Sequence, residues 1–122
     1  MKRDMDLIRK ILLEIESHEH GDAPQNFSVE GYSKETVGYH VHLLGEAHLL
    51  EVTHSTVYGD RSPQAIPLNM TWDGHDFLDA CRDENIWNRA KSEIGERVSS
   101  VSFGVLKQVL VKIGTDVVLN GI

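Results

Sequence analysis

Apolar residues recur every three or four positions near the start of the chain. They are Met5, Ile8, Leu12 and Ile15, with Leu7 and Ile11 beside them. This spacing places apolar side chains on one face of an α-helix, where they can pack into a core. Asp4 stands just before the stripe and is a suitable N-cap, because its carboxylate can accept a hydrogen bond from a first-turn amide. The pattern predicts a first helix that begins after Asp4 and ends near Ser17.

Residues 21–32 break this periodicity. Two glycines and a proline predict a loop, in which Phe27 and Val29 suffice for a very short strand or a single helical turn. The loop ends at Ser33, a typical N-cap residue, and Glu35 then falls in the first turn, where the helix dipole favours an anion. A second helix is therefore predicted over residues 33–48.

The second predicted helix has two distinct sides at about 100° per residue. Its apolar stripe is Val37, Val41, Leu44 and His48, flanked by His40, Leu43 and Ala47. Its opposite side is Lys34, Glu35, Gly38, Tyr39, His42, Gly45 and Glu46. We expect the first set to face the core and the second set to face solvent.

A β-hairpin is predicted after this helix. Residues 49–58 are rich in β-branched side chains, and residues 59–63 contain the glycine, aspartate and proline of a strong turn. Apolar residues then alternate on one face of a second strand: Ile66, Leu68 and Met70. Pro67 has no amide hydrogen to donate to a neighbouring strand, so this strand is predicted to lie at an edge or to be paired on one side only.

Three helical stretches complete the chain. Thr71 is the N-cap candidate of the first, which buries Phe77, Leu78 and Cys81, and the second restarts at Asn85. The last has a coiled-coil-like seam of Phe103, Leu106, Leu110, Ile113 and Val117, widened by Val105, Val109, Val111 and Val118. A small core cannot cover all of that surface, so this helix should wrap back over the N-terminal helix or pair with a second copy. We expect a homodimer formed through the C-terminal helices.

The order helix, short element, helix, hairpin, helix is that of a winged helix-turn-helix. The stretch YSKETVGYHVHLLGEAHLLEV resembles the second half of that motif in bacterial winged-helix repressors, with His48 in place of their helix-closing glycine. Three ordered blocks resemble a small bacterial and prophage-borne family of unknown function: MKRDMDLIRKILLEIE, GYSKETVGYHVHLLGEAHLL and LNMTWDGHDFLDACRDENIWNRAK. The resemblance implies a winged-helix-like fold and a role in gene regulation.

These patterns together predict one α+β domain over residues 1–122. Its winged-helix core, with a reduced second helix, spans about residues 4–72, and its C-terminal helices span about residues 72–119. Hydrophobic residues make up 40% of the 122 positions and charged residues 25%, as in ordinary folded domains. No apolar run approaches the ~20 residues that cross a bilayer, so no membrane partner is expected. The single cysteine, Cys81, favours a cytoplasmic location.

Charge decides how the winged-helix pattern is interpreted. The chain has 12 Lys and Arg against 19 Asp and Glu, a net charge of −7, which excludes a generally basic nucleic-acid binder. Residues 1–70 hold six basic and eleven acidic residues, a balance of −5, so the portion that would contact DNA is the more acidic one. If the chain binds double-stranded DNA, the contact residues are Lys34, Tyr39, His42 and Arg61. The alternative is an acidic protein–protein interaction module on the same scaffold.

The remaining candidate chemistry favours structural roles. Six of the seven histidines fall between residues 18 and 54, but His40 and His42 point about 200° apart on a helix and cannot chelate one ion together. We predict that the ring of His40 packs in the core and meets a backbone carbonyl. His42 and Glu46 have the spacing of a side-chain pair. The chain lacks the common catalytic motifs, so we predict a non-enzymatic protein with no cofactor and no metal.

Overall fold

The computed structural model describes residues 1–18, 27–95 and 101–121. These form α1 (Met5–Glu16), α2 (Lys34–Glu46), β1 (Leu50–His54), β2 (Ala65–Met70), α3 (Trp72–Cys81), α4 (Glu84–Ile94) and α5 (Phe103–Asn120). Five helices and a two-stranded antiparallel hairpin confirm the predicted α+β class. Within these ranges, every helix is too short or too polar to cross a bilayer.

Each helix begins at a side chain that satisfies an otherwise unpaired first-turn amide. The capping residues are Asp4, Ser33, Thr71, Asp83 and Ser102. The first three are those that the sequence predicted. Because each cap is worth about 0.5–2 kcal/mol, these side chains place the helix starts largely from local sequence.

The core is built around α1, whose apolar stripe is almost completely inaccessible to solvent. Its buried residues are Met5, Leu7, Ile8, Ile11, Leu12 and Ile15, as predicted. This helix packs against α2, α3 and β2, so its apolar face lies at the centre of the molecule.

Polar side chains connect α1 to the C-terminal helices. The guanidinium of Arg9 donates to the carbonyl oxygens of Cys81, over 2.7 Å, and of Arg82, over 2.9 Å. The carboxylate of Asp6 accepts from Trp87 Nε1, over 2.8 Å, and from Lys91 Nζ, over 2.9 Å. Partial burial alone would raise the pKa of Asp6, but these two hydrogen bonds and the charge of Lys91 outweigh it and hold the pKa below its ordinary value.

The helix α5 packs mainly on α3 and α4 rather than wrapping over α1. Its buried residues are Leu106, Leu110 and Ile113, while Val105, Val111, Val118 and Leu119 are exposed. Phe103 lies 4.7 Å from Phe77, ring centre to ring centre, and Trp87 on α4 is also buried. Trp72, in contrast, is 82% exposed at the start of α3.

A bulge changes which side chains of β2 face the core. Glu51 pairs with Asn69 and Val52 pairs with Pro67, which leaves Leu68 as an extra residue. Met70 is buried, whereas Leu68 and Ile66 are 44% and 42% exposed. The alternating apolar set predicted from the sequence is therefore split between two faces. As expected from Pro67, β2 is paired on one side only within the part of the chain that the structure describes.

The reduced helix that the winged-helix motif would place before α2, within residues 21–32, is not found among the described residues. Residues 27–29 have no regular structure, and the amide of Tyr32 closes a turn onto the carbonyl of Val29 over 3.3 Å. The rest of that segment, residues 19–26, lies outside the described residues. The element order and hairpin agree with a winged helix, but they establish only the α+β class.

Candidate functional site

The surface formed by α2 and the hairpin is the candidate site, and its geometry depends first on how α2 ends. His48 has φ 61°, and it is the only non-glycine residue with positive φ in the described chain. The amide of Leu49 donates to the carbonyl of Leu44, and that of His48 to the carbonyl of Gly45. This is a Schellman motif, in which Leu44 and Leu49 are both buried. The left-handed residue turns the chain directly from α2 into β1.

The hairpin packs over part of α2 that the sequence predicted to face solvent. A Cβ atom at Gly45 would lie 2.6 Å from Val52 Cγ2, and one at Gly38 would lie 1.9 Å from Gln64 Oε1. The expectation that Gly38 and Gly45 face solvent is therefore wrong. The absence of side chains at these two positions lets the hairpin approach the helix backbone.

Hydrogen bonds fix the tip of the hairpin to the start of α2. Gln64 Nε2 donates to the carbonyl of Glu35 over 3.0 Å and to Ser62 Oγ over 3.1 Å. Ser62 Oγ in turn donates to Glu35 Oε1 over 3.3 Å. The roles of Ser62 and Gln64 were not predicted, because the composition of a turn does not indicate which helix the turn will contact.

The side of α2 that remains free is acidic. Glu35 and Glu46 are exposed there, and Tyr39 and Leu43 are half-buried between them. Val37, Val41 and Leu44 of the predicted stripe are buried as expected, but His48 and the flanking Ala47 are exposed, because the helix ends before them. The helix therefore directs its apolar side to the core, its glycines to the hairpin and its glutamates to solvent.

Two histidines of α2 occupy different environments. His40 is buried, its Nδ1 lies 2.8 Å from the carbonyl of Thr36, and its Nε2 accepts from the amide of Asp4 over 2.8 Å. Because the Asp4 amide can only donate, the proton of the neutral ring is on Nδ1. The predicted contact with a backbone carbonyl is confirmed.

His42 lies on the hairpin side and pairs with Glu46. The distance from His42 Nε2 to Glu46 Oε1 is 3.3 Å, as their spacing predicted. The ring stacks on Tyr39 at 6.2 Å and contacts the ring of His54 at 5.8 Å, both measured between ring centres. Within the described ranges, no three His, Cys, Asp or Glu side chains form a group suited to a metal ion.

The structure separates the four residues predicted to contact DNA into two pairs. Tyr39 and His42 form the stacked pair on α2. Lys34 and Arg61 instead line a cleft between α2, β2 and residues 27–32, with a volume of about 920 Å³. Sequence analysis could not find this cleft, because its walls come from segments that are distant along the chain.

Comparisons with known proteins agree with the family suggested by the sequence blocks. The sequence profile of a family described as "Hypothetical protein (DUF2513)" matches residues 2–101. A Haemophilus influenzae protein described as uncharacterized is 38% identical over 112 residues, which are 89% of this chain and 92% of that protein. No solved structure matches the chain. The predicted resemblance to a small family of unknown function is confirmed.

Proposed function

The chain belongs to the DUF2513 family of hypothetical proteins, and we propose that it is a non-enzymatic protein-interaction module that self-associates in the cytoplasm and does not read DNA. The observation that carries this proposal is the outer side of α2, which is partly covered by the hairpin and otherwise acidic. The proposal keeps the winged-helix-like scaffold as the frame that presents this surface.

The surface of α2 is poorly suited to a DNA groove. A recognition helix inserts free side chains among base edges and phosphates. Hairpin atoms already occupy the space over Gly38 and Gly45. The free side carries Glu35 and Glu46, whose carboxylates are repelled by phosphate groups. It has no arginine to donate hydrogen bonds to guanine. These features favour a protein partner over nucleic acid.

Self-association is supported by α5. Val111 is 50% exposed and Val118 is 81% exposed, and their seven-residue spacing puts them on one stripe of the helix. Gly104 precedes them by another seven residues, and a Cβ atom there would meet nothing within 4 Å. Val105 and Leu119 add further exposed apolar surface. A second copy of α5 would remove these side chains from water and so gain hydrophobic free energy.

The first experiment tests for DNA binding. A fluorescent random-sequence duplex is titrated with the chain at low salt, where non-specific binders still associate, and anisotropy is measured. We expect no binding by the wild type and none by the Lys34→Ala/Arg61→Ala double variant. Binding that weakens with salt and is lost in the double variant would contradict the proposal.

Transcription-regulator-like DNA binding is the second candidate function, and one observation favours it. Lys34 and Arg61 line the same cleft where α2 meets the hairpin, although they are 27 positions apart in the sequence. In a winged-helix protein this junction lies close to the DNA backbone. Under this candidate, Tyr39 and His42 would contribute the remaining contacts, and the same titration would detect them.

The second experiment tests self-association. Sedimentation equilibrium should give a mass twice the 13.7 kDa of one chain. Val111→Asp and Val118→Asp should each shift the mass toward that of one chain, because a carboxylate would be placed in the apolar contact. Val57→Asp, at a hairpin position that is 65% exposed, is the matched control and should leave the dimer intact. A monomeric wild type would contradict self-association.

A further inference from the structure

The cleft between α2, β2 and residues 27–32 has the size of a small-molecule site. Its volume of about 920 Å³ falls within the range of about 300–1,000 Å³ that such sites occupy. Its apolar lining includes Phe27, Val37, Val41, Val57, Ile66 and Pro67. A lining of this kind favours a ligand that is mainly apolar.

The carboxylates that line the cleft are already engaged by the hairpin. Glu35 Oε1 accepts from Ser62 Oγ over 3.3 Å, and Asp60 Oδ2 accepts from the amide of Val57 over 2.8 Å. Both acids thus hold the hairpin turn in place. Their hydrogen bonds leave fewer acceptor positions for a ligand than two free carboxylates would offer.

The cations that line the cleft have no such partners. Lys34 and Arg61 are both exposed, and among the residues that the structure describes neither takes part in an ion pair. An arginine guanidinium can bind a carboxylate through two parallel hydrogen bonds, and a lysine ammonium adds a compact charge. These two cations, which have no ion-pair partner among the described residues, are the groups of the cleft to which a ligand carboxylate can bind.

We propose that the cleft binds a small organic carboxylate, whose apolar body packs against α2 and β2 and whose anionic group pairs with Lys34 and Arg61. The site does not use the exposed stripe of α5, and of the two glutamates on the acidic side of α2 it includes only Glu35, whose carboxylate accepts from Ser62. It therefore stands apart from the proposed self-association, and either proposal can fail without the other.

The test uses two probes with the same chain length and opposite charge. Octanoate and octylammonium are each titrated into the full ¹⁵N-labelled chain, and amide shifts are followed by NMR. Octanoate should shift amides of the cleft lining, such as Gly38, Gly59 and Ala65, with a saturable profile. Because the chain carries a net charge of −7, non-specific attraction favours octylammonium. Stronger binding of octanoate at the cleft therefore reports the local cations.

Variants then locate the anionic group. Lys34→Gln and Arg61→Gln should each raise the dissociation constant of octanoate about three- to fivefold, the effect of a partly exposed ion pair. Lys107→Gln and Lys112→Gln make the same charge change on α5 and should leave it unaltered. The proposal is overturned if octylammonium binds the cleft as tightly, if the α5 variants weaken octanoate equally, or if no cleft amide shifts. The comparison of the two probes needs no variant, so a folding defect cannot obscure it.

Discussion

At the scale of single residues, two histidines shape the backbone of α2: one lies within the helix and the other lies just after its end. His40 joins the helix to the amide of Asp4, 36 positions earlier, and His48 adopts the left-handed conformation that ends the helix. Sequence pattern predicted that His40 lies on the core side and meets a carbonyl, because that contact is local. The partner of its second ring nitrogen depends on how α1 packs against α2, which no local pattern encodes.

His48→Gly should stabilise the fold by about 0.5–1 kcal/mol, because glycine adopts positive φ without the steric conflict of a side chain. The change is measured as a higher midpoint of urea unfolding. His48→Val is the matched control and should lower the midpoint, since a β-branched residue is poorly tolerated in this conformation. An unchanged midpoint in both variants would contradict the role assigned to this residue.

His40→Leu should destabilise the fold by about 1–3 kcal/mol, because the partly buried amide of Asp4 loses its acceptor. Urea unfolding again gives the measurement. His42→Leu, at a side chain whose Nδ1 has no hydrogen-bond partner among the described residues, serves as the comparison and should have the smaller effect. Equal losses in the two variants would show that ring packing, rather than the hydrogen bond, accounts for His40.

The carboxylate of Asp6 should make stability depend on pH in acid. Its pKa in the fold is below the ordinary value of 3.8, so the folded chain binds this proton more weakly than the unfolded chain. The resulting stabilisation is fully present above that ordinary value and is lost as pH falls through the lower, folded pKa. Asp6→Asn should therefore lower the urea midpoint at pH 7 and have little effect at the acid end. An equal loss at both pH values would contradict this linkage.

At the scale of elements, the close approach of the hairpin to α2 distinguishes this surface from its sequence prediction. Helical periodicity separates apolar from polar positions, and it correctly buried Val37, Val41 and Leu44. Glycine gives no such signal, so the same analysis left Gly38 and Gly45 facing solvent. The bulge opposite Glu51 and Val52 was not predicted either, because strand alternation assumes an unbroken register.

Gly45→Ala should destabilise the fold by about 1–2 kcal/mol, because the new methyl group would overlap Val52. Adding Val52→Ala should recover much of that loss by vacating the space. Gly114→Ala is the matched control within α5, where a Cβ atom meets nothing within 4 Å, and it should stabilise by about 0.5–1 kcal/mol. Thermal unfolding of the four proteins tests the packing, and a stabilising Gly45→Ala would contradict it.

At the scale of the whole molecule, the sequence predicted the elements better than the surfaces between them. Caps at Asp4, Ser33 and Thr71 and the apolar stripe of α1 are local features, and each was confirmed. The cleft joins segments separated by about 30 residues, and the exposure of Trp72 depends on how α3 is oriented. The cleft and the exposure of Trp72 depend on tertiary packing, so local sequence patterns do not predict them.

The polar contacts of α1 also have a consequence for how the chain is made. This helix is synthesised before the C-terminal helices, and Lys91, which contacts Asp6, follows 85 positions later. At a synthesis rate of about 5–20 residues per second, the wait is roughly 4–17 s. Until the segments that pack against it have followed, the six apolar residues that α1 buries in the folded chain remain accessible to water and to other unfolded chains. Nascent chains stalled before α4 should therefore be the most dependent on chaperones.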